Sequence, residues 1–132
     1  MSAPSETYEK GLKMRRAVLG DAYVDKALAG GSEPFAKPGQ EFITEVCWGG
    51  LTRPGLAPKQ RSLMNIGILM ALNRPAELAA HTRGAINNGV TEEELSEAIR
   101  HAMIYIGVPA GLEAYKVAGK VLRGMKESAE LN

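Results

Sequence analysis

Apolar residues recur along this chain at intervals of three and four, and no stretch alternates with period two over a useful length, so the elements predicted are helices. Tyr8 to Leu19 reads as a first helix ending at Gly20. Asp21 to Leu28 reads as a short second helix, stopped by Gly30-Gly31. The stretch GSEPFAKPG is rich in breakers and reads as a loop. Gln40 to Trp48 has helical spacing, with Phe42, Ile43 and Val46 on one side. The following GGLTRPGLAP holds three glycines and two prolines and cannot stay regular for long. Lys59 to Leu72 is apolar on most faces, through Leu63, Met64, Ile66, Ile68, Leu69, Met70 and Leu72, which is the pattern of a buried helix. Pro58 suits its first turn, where the missing N–H costs nothing.

Asn73-Arg74-Pro75 breaks the pattern, and Pro75 starts a helix that ends at Asn88-Gly89, where glycine suits a left-handed cap. Thr91 and Glu94 have the spacing of a capping box. The helix they open carries the stripe Leu95, Ala98, Ile99, Ala102 and Ile106. Gly107-Val108-Pro109 ends it, and a last helix runs from Ala110 to Lys126. There is no internal repeat and no long linker. The 132 residues therefore predict an all-α fold, a single-domain bundle of about six or seven helices packed one layer on another. A helical core of this size is thin, so faces of the second and last helices are expected to pack against further copies in a homo-oligomer.

Composition narrows the function classes. The chain is 45% hydrophobic and 23% charged, with 16 Lys plus Arg against 15 Asp plus Glu, which gives no basic surplus for nucleic acid. The longest apolar run, near Leu63 to Leu72, is too short to span a bilayer. The N-terminal MSAPSETYEKGLKMRR lacks an apolar segment of signal-peptide length, so the cytoplasm is the default location. Cys47 is the only cysteine, which rules out an intramolecular disulfide. It reads first as a small buried residue beside Trp48, and second as a nucleophile should a histidine lie near it. Two histidines offer little for a metal site, and no phosphate-binding glycine loop, HExxH or G-x-S-x-G occurs. No metal and no cofactor are expected.

Three groups of residues could carry chemistry. Glu77 and His81 stand four apart, on one helix face, with Arg74 a further three residues upstream. A carboxylate one turn from an imidazole can fix its tautomer and raise its basicity, which makes an acid–base unit. Spacing alone is met more often by an exposed pair with no role. His101 and Tyr105 are a second pair four apart. Tyr105 stands where the chain turns, and either fills the helix junction or turns its hydroxyl to a pocket. Arg53, Lys59 and Arg61 cluster at the start of the apolar helix and could receive an acidic ligand, or pair with Glu41 or Glu45. Arg61 is the strongest of the three, because wholly apolar residues follow it.

From Thr44 onward the chain reads TEVCWGG, then TRPGL, then RSLMNIGILMALNRPAELAAHTRGAINNGVTEEEL, then YIGVPAG. Together with the weaker YEKGLKMRRAVLGDAYVDKAL, these runs resemble the carboxymuconolactone decarboxylase family over nearly the whole chain. The resemblance implies an alkylhydroperoxidase-like helical fold, assembled as a trimer or hexamer. It also implies loss of CO2 from 4-carboxymuconolactone, giving 3-oxoadipate enol-lactone in aromatic catabolism (the protocatechuate pathway), or from a related small acidic lactone. The wider superfamily carries C-x-x-C-x-x-x-H on the helix of His81. Counting back from His81, the two cysteine positions are Arg74 and Glu77, so thiol peroxidase chemistry is not expected there. The lactone is itself the electron sink, so the reaction requires no cofactor. It requires donors for the developing oxyanion, a cation for the remaining carboxylate, and a proton for the ring carbon.

The resemblance thus implies His81 as donor, oriented by Glu77, with Tyr105 as a second donor. Arg61 and Arg53 would hold carboxylate, Trp48 would wall the ring, and Glu45 would orient an arginine. Family members usually carry a second tryptophan before the R-P-G-L turn, and a slightly longer loop. Here Thr52 precedes Arg53, a departure that bears on the substrate. The alternatives are a peroxidase-related redox protein, for which Cys47 would be the thiol, and a non-catalytic oligomeric binder of a small ligand.

Overall fold

Ser5 accepts the backbone N–H of Tyr8 on its side chain at 3.0 Å and so caps the first helix, α1, Glu6–Leu19. Glu6 and Glu9 then occupy the first turn, where the helix dipole favours negative charge. This is why α1 begins two residues before the point that apolar spacing predicted. The computed structural model describes residues 4–131, which are helical throughout apart from short turns and divide into one unit up to Ala57 and another from Pro58.

The first unit holds α1, α2 (Asp21–Gly30), α3 (Lys37–Phe42) and a π-helical segment, Ile43–Trp48, that continues α3 without a break. Pro38 sits in the first turn of α3, so the loop predicted as GSEPFAKPG is shorter than its breakers implied. The π segment corrects a second expectation. Phe42, Ile43 and Val46, the apolar side of the helix read over Gln40 to Trp48, are 59%, 37% and 52% exposed. The residues turned inward are Thr44 and Trp48, which are buried. The wider π turn re-aims the side chains that follow it relative to an α-helical frame. α1 approaches this segment so closely that a Cβ at Gly11 would stand 1.9 Å from the Thr44 carbonyl oxygen.

The second unit holds α4 (Pro58–Ala71), α5 (Pro75–Asn87), α6 (Glu92–Ile106) and α7 (Val108–Glu127). Asn73, in the left-handed region at φ 55°, makes the break before α5, a conformation asparagine tolerates better than most residues. The capping box at Thr91 and Glu94 forms as its spacing predicts, with both reciprocal bonds present. Such a cap contributes about 1 kcal/mol. Gly107, at φ 114°, makes the entire break before α7, and Pro109 falls inside the first turn of that helix. The core joins Ile66, Met70, Leu78, Ala85, Leu95, Ile99, Ala114 and Ala118.

α4 is not the buried helix its composition suggested. Ser62, Ile66 and Met70, at intervals of four, face inward. Met64, Ile68 and Leu72 form a second stripe at the same interval and are 56%, 45% and 64% exposed. The all-round apolar pattern therefore holds two stripes, and only one of them meets the core of this chain. No helix among the described residues is long and apolar enough to cross a membrane.

Candidate active site

The residues expected to carry chemistry divide between the two units. Glu45, Trp48 and Arg53 belong to the first, and Arg61, Glu77, His81 and Tyr105 to the second.

In the second unit Pro75 starts α5 without cost and Leu78, Thr82 and Ala85 bury one side of the helix. His81 stands beside that side, half-buried. Burial favours its neutral form and lowers its pKa below the ordinary 6.5, while the field of Glu77 raises it less. His81 is therefore a neutral imidazole at pH 7. Glu77 itself is exposed, and its carboxylate accepts a hydrogen bond from Arg74 Nη2 at 3.0 Å. That bond and the Arg74 charge hold Glu77 below the usual carboxylate range. The expected Glu77–His81 unit thus has a third member, with Arg74 fixing the carboxylate whose field acts on the ring.

Arg61 is half-buried near the start of α4. Its neighbour Ser62 accepts a hydrogen bond from Asn88 Nδ2 at 2.9 Å, which ties the end of α5 to the start of α4 and sets the two helices antiparallel. At about 1.5 Å per residue, His81 lies roughly 10 Å along α5 from that tie. Lys59 pairs with Glu94 at 2.8 Å. Tyr105 stands at the end of α6, outside the core of this unit. It is 79% exposed and lies against His101, with ring centroids 5.3 Å apart. A small cleft beside the α4–α5 turn is lined by Arg74, Leu78 and Glu113, among others, and not by His81 or Arg61.

In the first unit Trp48 is buried and Glu45 half-buried. Glu45 Oε1 accepts a hydrogen bond from Ser5 Oγ at 3.0 Å. Arg53 folds back over Gly50, where a Cβ would stand 2.9 Å from Nη1. Cys47 is exposed, which corrects the expectation that it packs beside Trp48. The π winding turns Thr44 inward and leaves Cys47 outside.

Sequence reasoning passed over Arg15. It is 5% exposed and donates through Nη1 to Gln40 Oε1 at 3.0 Å and Thr44 Oγ1 at 3.1 Å. The available signal was its place on the inward stripe of α1, with Gly11, Val18 and Leu19. A charge on an apolar stripe marks a buried polar contact.

The His81 shift has a consequence for stability. Between its folded midpoint and 6.5 the unfolded chain binds a proton that the folded chain does not. Stability from this group is complete above 6.5 and is lost as pH falls through the folded midpoint. Urea melts across that window should show stability rising with pH, and His81→Gln should flatten the slope. An unchanged slope would mean that burial does not hold His81 neutral.

Residues 38–120 match the model of the carboxymuconolactone decarboxylase family. The chain is 48% identical over 124 residues to nitrosuccinic acid decarboxylase npaB of Metarhizium robertsii, covering 93% of this chain and 86% of that protein. It is 40% identical over 121 residues to 4-carboxymuconolactone decarboxylase of Acinetobacter baylyi, covering 91% and 90%.

Proposed function

This chain belongs to the carboxymuconolactone decarboxylase family, and on that premise we propose that it removes CO2 from a small diacid whose departing carboxylate sits on a carbon joined to an electron acceptor. The two relatives are named for acids that share this logic. In 4-carboxymuconolactone the acceptor is the conjugated lactone; in nitrosuccinic acid it is the nitro group. The C–CO2 bond breaks, its electron pair moves into the acceptor and CO2 leaves; a proton then adds to the same carbon in the nitro acid, and to the ring carbon next to the carbonyl in the lactone. The substrate supplies the electron sink, so the proposed reaction is cofactor-independent.

The observation that carries this reading is the half-buried, neutral His81. A neutral N–H donates a hydrogen bond to the acceptor oxygen as charge gathers there, in surroundings where such a bond is stronger than in water. Glu77, held in place by Arg74, turns the field of its carboxylate on the ring and steadies it as it polarises. Arg61, a permanent cation, holds the carboxylate that stays. In the first unit, Trp48 is proposed as an apolar wall, with Glu45 and Arg53 as polar contacts to substrate.

The lactone is the substrate carried forward from the family resemblance. Nitrosuccinic acid is favoured by the higher of the two identities. Each acid, offered to the purified protein, decides the matter: CO2 should appear mole for mole with one of them, and Cys47→Ser should leave the rate unchanged. Turnover of neither acid by folded protein, or peroxide reduction that depends on Cys47, would contradict the proposal.

We also propose that the chain works as a homo-oligomer. Ile104, Tyr105, Val108 and Leu112 are 58% to 79% exposed around the turn between α6 and α7, a grouping monomers rarely leave uncovered. In such an assembly Tyr105 would be covered and able to act as the second donor. Light scattering at micromolar concentration should give a multiple of 14.1 kDa; a mass of one chain would contradict this.

A further inference from the structure

The π segment that carries Glu45 and Trp48 is held from one side by α1, at three points. Ser5 Oγ donates to Glu45 Oε1 at 3.0 Å. Gly11 lets the α1 backbone reach the segment, since a Cβ there would stand 1.9 Å from Thr44 O and 2.9 Å from Gly49 N. The junction where α3 becomes π-helical lies just before these contacts, at Phe42–Ile43. Thr44 Oγ1 donates to the Gln40 carbonyl at 2.8 Å, a side-chain bond of the kind that competes with the helical ladder. Arg15 Nη1 then bridges this junction, donating to Gln40 Oε1 on the α3 side and to Thr44 Oγ1 on the π side.

Arg15 is an expensive residue for this place. It is 5% exposed, its Nε–H has no hydrogen-bond partner among the described residues, and the groups it touches are neutral oxygens. Burial disfavours its charged form. An apolar side chain would fill the space at less cost, but it could not hold two oxygens on either side of a change in winding. The arrangement makes sense if the winding itself is what has to be kept.

We propose that Arg15 is a positioning residue, fixing the α3-to-π junction so that Glu45 and Trp48 are presented to substrate. The part concerning substrate rests on the functional reading above; the part concerning the junction does not. Trp48 is the only tryptophan, so its fluorescence reports on the junction without any substrate.

The test compares wild type with Arg15→Met and Arg15→Lys. In Arg15→Met, far-ultraviolet dichroism and a cooperative melt should persist, because removing a buried charge with no anionic partner is tolerated. Trp48 emission should move to longer wavelength and become more open to acrylamide. On the decarboxylated acid, KM should rise about 10- to 100-fold with kcat nearly kept, the size of effect that misplacing a binding group produces. Arg15→Lys, keeping one donor, should recover part of both. Unchanged Trp48 emission in folded Arg15→Met would overturn the proposal, as would shifted emission with an unchanged KM. If Arg15→Met does not fold, Gln40→Ala removes one side of the bridge and is read by the same two criteria. If the wild type decarboxylates neither acid, the functional reading fails, and Trp48 emission alone still decides whether Arg15 holds the junction.

Discussion

His81→Ala is expected to lower turnover about 10²- to 10⁴-fold, the range for losing a positioned proton-handling group, while the protein keeps its fold. The argument is geometric and electrostatic. His81 stands beside the inward side of α5, half-buried, so truncation removes little core. Burial holds the ring neutral, leaving an N–H to donate and a nitrogen to accept. His81→Gln sharpens the test, because its amide keeps a donor but cannot take up and return a proton. Substantial recovery by glutamine would assign His81 to hydrogen bonding at the acceptor oxygen. No recovery would assign it to proton transfer. Full turnover by a folded His81→Ala would remove it from the reaction.

Ile66→Ala should have the largest effect on stability. Ile66 is 0% exposed, at the centre of the inward stripe of α4, and packs in one cluster with residues of α5, α6 and α7. Truncation removes buried methyl groups and leaves a cavity among helices that cannot all close on it. A cost of about 2–5 kcal/mol is expected. At this chain length each kcal/mol should lower the melting midpoint by roughly 3–5 °C. Ile68→Ala, two residues along on the exposed stripe, is the matched control and should cost far less in the isolated chain. Equal losses would mean that the second stripe is covered in the protein as it exists in solution.

Much of the second unit is legible from sequence because its signals are local. The capping box at Thr91, the left-handed glycine at 89 and the first-turn prolines Pro58 and Pro75 each depend on residues a few positions apart, and each forms as expected. What local pattern cannot give is which of two apolar stripes meets a partner, and the all-round apolar pattern of α4 conceals that choice. The π segment is hidden for a related cause. Its winding is held by Arg15 and Gly11 from another helix, about thirty positions away, and no short-range spacing announces such a contact. Phe42, Ile43 and Val46, one apolar side by helical spacing, are then exposed.

The candidate site shows the same division. Four-residue spacing put Glu77 and His81 on one face, as α5 has them, but could not show that Arg74 takes the carboxylate. Nor could it show that burial, more than the carboxylate, sets the state of the ring. The reaction class rests on family membership; the state of His81 is what the fold adds.

That state is tested most directly by the pH dependence of kcat/KM for CO2 release from the acid the protein decarboxylates. A neutral His81 predicts a rate that is low in acid, rises through a midpoint below 6.5, and stays level above it. A rate greatest in acid and falling as the imidazolium loses its proton would contradict it.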